Sequence, residues 1–179
     1  MSDWHVLTAG PSAGKSSTLR ELSARGYRTA PEAARIVADQ LTSEGVNPKD
    51  FREAKPQEFQ DRVIETDRRI QQKLPNRGPV FMDRSIYDNI AYTNLTDREL
   101  PEILDRPEST QFGLVFLLDR IEFQEDGVRT EDESFAAMIH EELRDVYEDY
   151  GFEVVDVPVM PVDERADFIE RKIERIAIH

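Results

Sequence analysis

Short continuous apolar runs alternate along the chain with longer segments whose apolar residues recur at helical spacing. "WHVLTA" (4–9), "PVFMD" (79–83) and "LVFLLD" (114–119) are runs of the first kind, and "FEVVDVP" (152–158) is a last strand. Continuous apolar character marks strands buried on both faces of a parallel sheet. A helix is predicted from about Gly14 to Arg25, closed by Gly26. "YRTAPEAARIVADQL" (27–41) predicts a short strand that turns at Pro31 into a second helix. Over 56–74, Phe59, Val63, Ile70 and Leu74 share one helical face, and Pro75 and Gly78 end the element. A helix "IYDNIAYTNL" (86–95) follows the 79–83 strand. After the 114–119 strand comes a polar segment, then a capping box of Thr130 and Glu133 that opens a helix to Tyr150. Phe135, Ile139, Leu143, Val146 and Tyr150 form its core stripe, Gly151 closes it, and a last helix covers 162–176.

Strands alternating with helices through one compact chain imply an α/β fold with a mainly parallel sheet and a single domain over 1–179. There is no internal repeat, low-complexity tract or linker. In such sheets ligands sit beyond the carboxyl ends of the strands. The residues to inspect are therefore 9–15, Glu32, Asp83 and the segment after Asp119.

Composition narrows the picture. The chain has 179 residues, no cysteine and a formal net charge of -14. Disulfides, thiolate metal sites and a cysteine nucleophile are excluded. No apolar run is long enough to span a bilayer, and the N-terminal stretch carries an acid and leads straight into a strand, so neither a membrane nor a signal peptide is expected. A soluble cytoplasmic protein, monomer or homodimer, is the expectation. The acidic surface repels polyphosphate backbones, so nucleic acid is not an expected partner.

Against that charge, "AGPSAGKS" (9–16) stands out, since it nearly fits G-x-x-x-x-G-K-[ST] with Ala9 at the first glycine. Strand, small-residue turn and helix are the context a phosphate loop requires. The loop of Gly10, Pro11, Ser12, Ala13, Gly14, Lys15, Ser16 and Ser17 wraps a nucleoside triphosphate with its backbone N–H groups, Pro11 contributing none, and the helix N-terminus adds partial positive charge. Lys15 supplies a cation for the terminal phosphates and the Ser16 hydroxyl a ligand for Mg²⁺. Ala9 ends the strand, where a methyl group need not meet the phosphate. Asp83, at the end of the next buried strand, either holds Mg²⁺ or caps the helix beginning near Ser85; beside the loop the metal role leads. Arg84 is a candidate phosphate clamp. Glu32 is either a general base for an acceptor hydroxyl or a first-turn acid on the helix dipole, and Arg35, one turn on, can hold an anion. Arg129, a lone cation in the acidic segment "DGVRTEDE", is a candidate lid residue over about 120–131, with an exposed ion pair as its alternative.

"TAGPSAGKSS", "PEAAR", "VFMDRSIYDNIAY", "DGVRTEDE", "LRDVYEDYGFEVVDVP" and "DERADFI" occur in an order that resembles the P-loop ATPase/kinase domain family that includes the ribosylnicotinamide kinase domain of a bacterial NAD regulator. The resemblance covers almost the whole chain. "DRSIYDNIAY" is also similar to segments of thymidylate and deoxynucleoside kinases. It implies a P-loop NTPase three-layer sandwich with a mainly parallel five-stranded sheet and a small lid. It also implies ATP and Mg²⁺ as ligands, phosphate or substrate contacts from Arg84, and a lid role for Arg129. In the similar deoxynucleoside kinases the acid after the second strand is the general base, which falls on Glu32.

The expected activity is transfer of the γ-phosphate of ATP to a small acceptor, such as a nucleoside. Lys15, Glu32, Asp83, Arg84 and Arg129 are the expected catalytic set, Arg35 and Asp88 the substrate contacts, and Tyr87 and Tyr92 candidate pocket walls. The competing expectation is a nucleotide-dependent switch or slow ATPase acting through a protein partner, which needs the loop and Asp83 but no acceptor pocket.

Overall fold

The computed structural model describes residues 3–11, 13–75, 77–95, 112–119 and 131–177, the side chains of 131–133 and 177 excepted. Five strands form one sheet: β1 (Trp4–Thr8), β2 (Arg28–Ala30), β3 (Val80–Asp83), β4 (Val115–Leu118) and β5 (Val154–Val157). Their order is β2-β3-β1-β4-β5 and every pairing is parallel. The helices are α1 (Lys15–Ala24), α2 (Ala33–Ser43), α3 (Pro48–Ala54), α4 (Pro56–Gln71), α5 (Ile86–Asn94), α6 (Glu131–Asp149) and α7 (Val162–Ala177).

Alternation along the strands sorts the core into two layers. Val6, Val80, Met82, Val115 and Leu117 face one way, onto Ile64 of α4, Ile90 of α5 and Ile139, Leu143 and Tyr147 of α6. Leu7, Phe81, Phe116 and Leu118 face the other way, onto Leu19 and Leu22 of α1 and Ala166, Ile169 and Ile173 of α7. Both faces of the central strands are therefore covered, which is why those segments read as unbroken apolar runs. A third cluster, Val37 and Leu41 of α2 with Phe59 and Val63 of α4, lies beside the sheet. Among the described residues no helix is long and apolar enough to cross a membrane.

Helix α3 was not expected. It buries no residue fully, so it has no apolar stripe to read; Asn47 caps it by accepting from the Lys49 and Asp50 amides, and Pro48 opens it. On α6 the expected stripe is offset at its end. Tyr150 is 43 % exposed, and Tyr147 takes the core position. The helix stops at Asp149, so Tyr150 lies in the turn that leads to Gly151 at φ 81°. Thr130 and the Glu133 side chain of the expected capping box lie outside the described residues.

Candidate functional site

The turn after β1 delivers the loop onto α1. Gly14 caps that helix at φ 79°, no side chain caps it, and its first turn holds no acid, so its leading N–H groups face outward without a competing carboxylate. Ser17 donates to the Gly14 carbonyl at 2.7 Å and so turns inward, whereas Ser16 is exposed. Ala9 is fully buried in the α1–α7 layer, so its methyl group is spent on packing. Pro11 is exposed, Ala13 is buried, and Ser12 lies outside the described residues. At Gly10 a β-carbon would stand 3.2 Å from the Ala136 carbonyl oxygen, so the loop is pressed against α6.

Behind the loop lies a residue that motif reading missed. Arg165 of α7 is 3 % exposed. It donates to the Ala13 carbonyl at 3.2 Å, the Thr18 hydroxyl at 3.1 Å and the Met160 carbonyl at 3.2 Å. A β-carbon on Gly14 would lie 2.7 Å from its Nη1. Burial lowers its pKa from the usual arginine value. The signal was present in the sequence: Arg165 stands four residues before Ile169 and eight before Ile173, a charged residue on a core stripe.

In front of the loop, β1 and β3 run in register with Leu7 opposite Asp83, so Asp83 ends its strand beside the start of α1. Its carboxylate pairs with the Lys15 ammonium. Asp83 therefore does not cap α5; Ser85 does, in a reciprocal box with Asp88. Burial, followed by the nearby Arg84 charge, lowers the Lys15 pKa to about 8.

Arg84 follows at φ 69°, a left-handed conformation that costs a non-glycine residue roughly 1–2 kcal/mol. Its amide still donates to the Leu7 carbonyl at 3.0 Å, and the turn sends the guanidinium across the strand ends. There Nη1 donates to Asp88 Oδ1 at 3.1 Å, Nε lies 3.3 Å from Glu32 Oε1 in ion-pair contact, and the group sits over the Tyr92 ring at 5.2 Å. Burial alone would lower its pKa, but Asp88, Tyr92 and Glu32 outweigh it and the guanidinium stays charged. Glu32 is the N-cap residue of α2 yet makes no side-chain cap bond, so its carboxylate is turned to Arg84 instead.

Asp88, an expected substrate contact, is 2 % exposed, and both its oxygens are already used. Oδ1 accepts from Thr8 (2.6 Å) and Arg84 (3.1 Å), and Oδ2 from the Ser85 amide (3.0 Å) and the Tyr147 hydroxyl (2.5 Å). Four donors on one carboxylate make it the pedestal of Arg84. Tyr87 packs among Phe112, Tyr147, Tyr150 and Phe152 in the core, so of the two tyrosines only Tyr92 reaches the site. Arg35 is exposed on α2, its charge felt at Lys15. Arg129 and the 120–130 part of the expected lid lie outside the described residues.

Next to this cluster a cavity of about 200 Å³ opens between α2, α4 and α5. Glu32, Asp83 and Arg84 line it, as do Phe59, Gln60, Val63 and Asp67 of α4, Asn89 and Tyr92 of α5, and Arg52 of α3. Gln60 and Asp67 were missed as site residues. They are polar side chains on the apolar face of α4, in step with Val63 and Ile64.

The family model described as an AAA domain matches residues 4–165. A search of curated proteins found no match. Among solved structures, the chain is similar to the NadR protein in complex with NR (17% identity, TM-score 0.68, 95% of this chain and 49% of that one). It is also similar to thymidylate kinase from Candida albicans (16%, 0.62, 97% and 92%) and to deoxyadenosine kinase from M. mycoides with bound dATP (14%, 0.59, 96% and 99%). The chain thus spans about half the length of the NadR chain. At these identities the likenesses show the fold, that of the nucleotide kinases: an α/β fold with a five-stranded parallel sheet.

Proposed function

We propose that this chain, which belongs to the AAA domain family and is a P-loop nucleotide-binding domain, is a kinase that transfers a phosphoryl group from ATP to a small acceptor. The observation that carries the reading is the cavity beside the loop, with the Glu32–Arg84 pair at its edge. A domain that only binds or hydrolyses nucleotide has no need of a second, acceptor-sized site.

The open N–H groups at the start of α1 and the Lys15 ammonium bind the triphosphate. Lys15 does so by exchanging Asp83 for phosphate oxygens. Ser16 and Asp83 fit Mg²⁺: both offer hard oxygen donors at adjoining strand and helix ends, as that ion prefers. Held by Ser16 and Asp83, Mg²⁺ would neutralise charge on the phosphate oxygens. Glu32 accepts the acceptor's hydroxyl proton as the new O–P bond forms and the bond to the ADP oxygen breaks. We assign Arg84, which lines the cavity with its guanidinium held by Asp88, to contacts with the acceptor and the transferring phosphate. We assign Arg129 and the 120–131 segment to closure over the nucleotide, and Arg35 to anion contacts at the rim.

The test is turnover with ATP-Mg²⁺ against a panel of nucleosides, nucleotides and small hydroxy acids, with products identified by mass. A phosphorylated acceptor is the expected result. ATP hydrolysis that no acceptor accelerates, with no phosphorylated product, would favour a nucleotide-dependent switch instead.

A further inference from the structure

The turn that carries Arg84 keeps a strained backbone, and a buried network surrounds it. Arg84 stands at φ 69°, and a non-glycine residue persists there only where its surroundings over-determine it. Its Nε is buried without a hydrogen-bond partner, the contact with Glu32 being ionic alone, so its direction rests chiefly on the Nη1 bond to Asp88. Asp88 can set that direction only if its own carboxylate does not turn. Two of the four donors on it belong to the turn itself, Arg84 Nη1 and the Ser85 amide. The other two come from elsewhere in the fold: Thr8 at the end of β1, on Oδ1, and Tyr147 of α6, on Oδ2. Tyr147 also accepts. With its proton committed to Asp88, its oxygen receives the Ser85 hydroxyl at 2.7 Å, and Ser85 Oγ in turn accepts from the Tyr87 amide at 3.3 Å. One phenol oxygen therefore grips both the residue after Arg84 and the carboxylate that bonds Arg84.

Packing does not call for that oxygen. Tyr147 is fully buried with its ring against Tyr87 and Phe152, and phenylalanine would fill the same place with no polar atom to desolvate. Burial and the Asp88 charge hold the phenol pKa well above its usual value, so the group remains a donor. Tyr147 shares the core face of α6 with Ile139 and Leu143, and the Ala136 carbonyl of the same helix faces Gly10 of the phosphate loop. One helix thus touches the loop near its start and the Arg84 turn near its end. Resting on the kinase reading of this site, we propose that Tyr147 is a positioning residue for phosphoryl transfer: acting from α6 through Asp88 and Ser85, it holds the Arg84 guanidinium in place for the acceptor and the transferring phosphate. Such a residue touches neither ligand. Its loss misplaces a charge that is still present, and small misplacements at a reacting centre lower the rate steeply.

The experiment is a double-mutant cycle of Tyr147→Phe and Arg84→Ala, with Thr8→Val replacing Tyr147→Phe should that variant not fold. Turnover of radiolabelled ATP-Mg²⁺ is measured alone and with adenosine, thymidine monophosphate and shikimate as acceptor probes, and calorimetry gives the Kd of ADP-Mg²⁺. In ¹⁵N-labelled protein the Arg84 Nε–H resonance, identified by its loss in Arg84→Ala, reports the guanidinium directly. The expected result for Tyr147→Phe is a kcat about 10–100-fold lower with the ADP Kd within about twofold. The Arg84 resonance should be displaced, and the Arg84→Ala background should show no further loss of rate. A merely structural tyrosine would lower the melting temperature and leave kcat alone. An unchanged kcat in Tyr147→Phe, or an equal loss with and without Arg84, overturns the inference while the kinase reading stands. If no probe is phosphorylated, the kinase reading fails and the resonance decides. A signal displaced in Tyr147→Phe then supports the hold on Arg84, and a signal that stays in place overturns it.

Discussion

Replacing Asp67 by asparagine is predicted to stabilise the protein, and to do so only toward neutral pH. Burial raises the Asp67 carboxyl from its ordinary value of 3.8 to about 6; the hydrogen bond from Gln71 opposes this and the negative charge of Asp88 reinforces it. Glu32, Arg52 and Arg84 are the other charged groups on the same cavity beside Asp83 and Asp88. The sign follows from proton counting. Between pH 3.8 and 6 the folded chain holds a proton that the unfolded chain has released, so stability falls as pH rises through that window. At 1.36 kcal/mol per pKa unit, a rise of about two units costs about 3 kcal/mol above pH 6. Asparagine removes that cost at every pH and keeps an oxygen for Gln71, but its buried NH₂ lacks a partner, which returns about 1–2 kcal/mol. The net gain is about 1–2 kcal/mol at pH 7.5, or roughly 3–6 °C in Tm for a chain of this size. His5 titrates in an overlapping window with opposite sign: burial lowers it to about 4, so its contribution is lost as pH falls below 6.5. It is common to both proteins and cancels in the difference. Calorimetric melting of wild type and variant at pH 4, 5, 6 and 7.5 checks the argument. A variant that melts lower than wild type at pH 7.5, or a difference that does not change with pH, refutes it.

Three further outcomes follow from the site. Lys15→Ala should abolish detectable triphosphate binding by calorimetry while far-ultraviolet circular dichroism stays unchanged, because the residue lies at a helix start and alanine keeps the helix. Glu32→Gln should lower acceptor phosphorylation by about 10²–10⁴-fold with nucleotide Kd within about threefold, since loss of a general base acts on transfer alone; equal rates in a quenched-flow comparison would remove Glu32 from the chemistry. Arg165→Met should weaken triphosphate binding by at least about tenfold, because three hydrogen bonds that brace the loop and its neighbours vanish. Arg165→Lys should recover part of that loss, and an unchanged Kd in Arg165→Met would reduce the residue to packing.

The sheet was legible because strands buried on both faces cannot hide: Val80–Met82 and Val115–Leu118 have no polar residue to interrupt them. The loop was legible because its chemistry is local, carried by neighbours in sequence. Helix α3 was not, since it sets only Phe51 against the core cluster and its cap, Asn47-Pro48, is its sole local sign. The α6 stripe differs only at its last member, because Tyr147 and Tyr150 both continue the helical spacing, and the stop at Asp149 decides between them. Asp83, Arg84 and Glu32 were found by their places at strand ends, but their pairing with Lys15 and with each other depends on sheet order. Gln60, Asp67 and Arg165 were passed over because each sits where helical spacing calls for an apolar side chain. A polar residue out of place on a core stripe is weak evidence alone and becomes strong once a cavity or a loop is seen in front of it.

The Lys15–Asp83 pair has a consequence for how two ligands would read one another. In the free protein each charge is neutralised by the other. If Lys15 turns to a triphosphate without metal, Asp83 is left as a bare carboxylate facing phosphate oxygens. If Asp83 takes a cation without nucleotide, Lys15 is left as an ammonium beside that cation. Either half-filled state carries an unmatched charge of the sign the missing ligand would cancel. Nucleotide and cation should therefore bind with positive cooperativity, and by linkage each strengthens the other by the same factor. On the proposed reading the pair would act as a thermodynamic latch that admits the two together and discourages either alone.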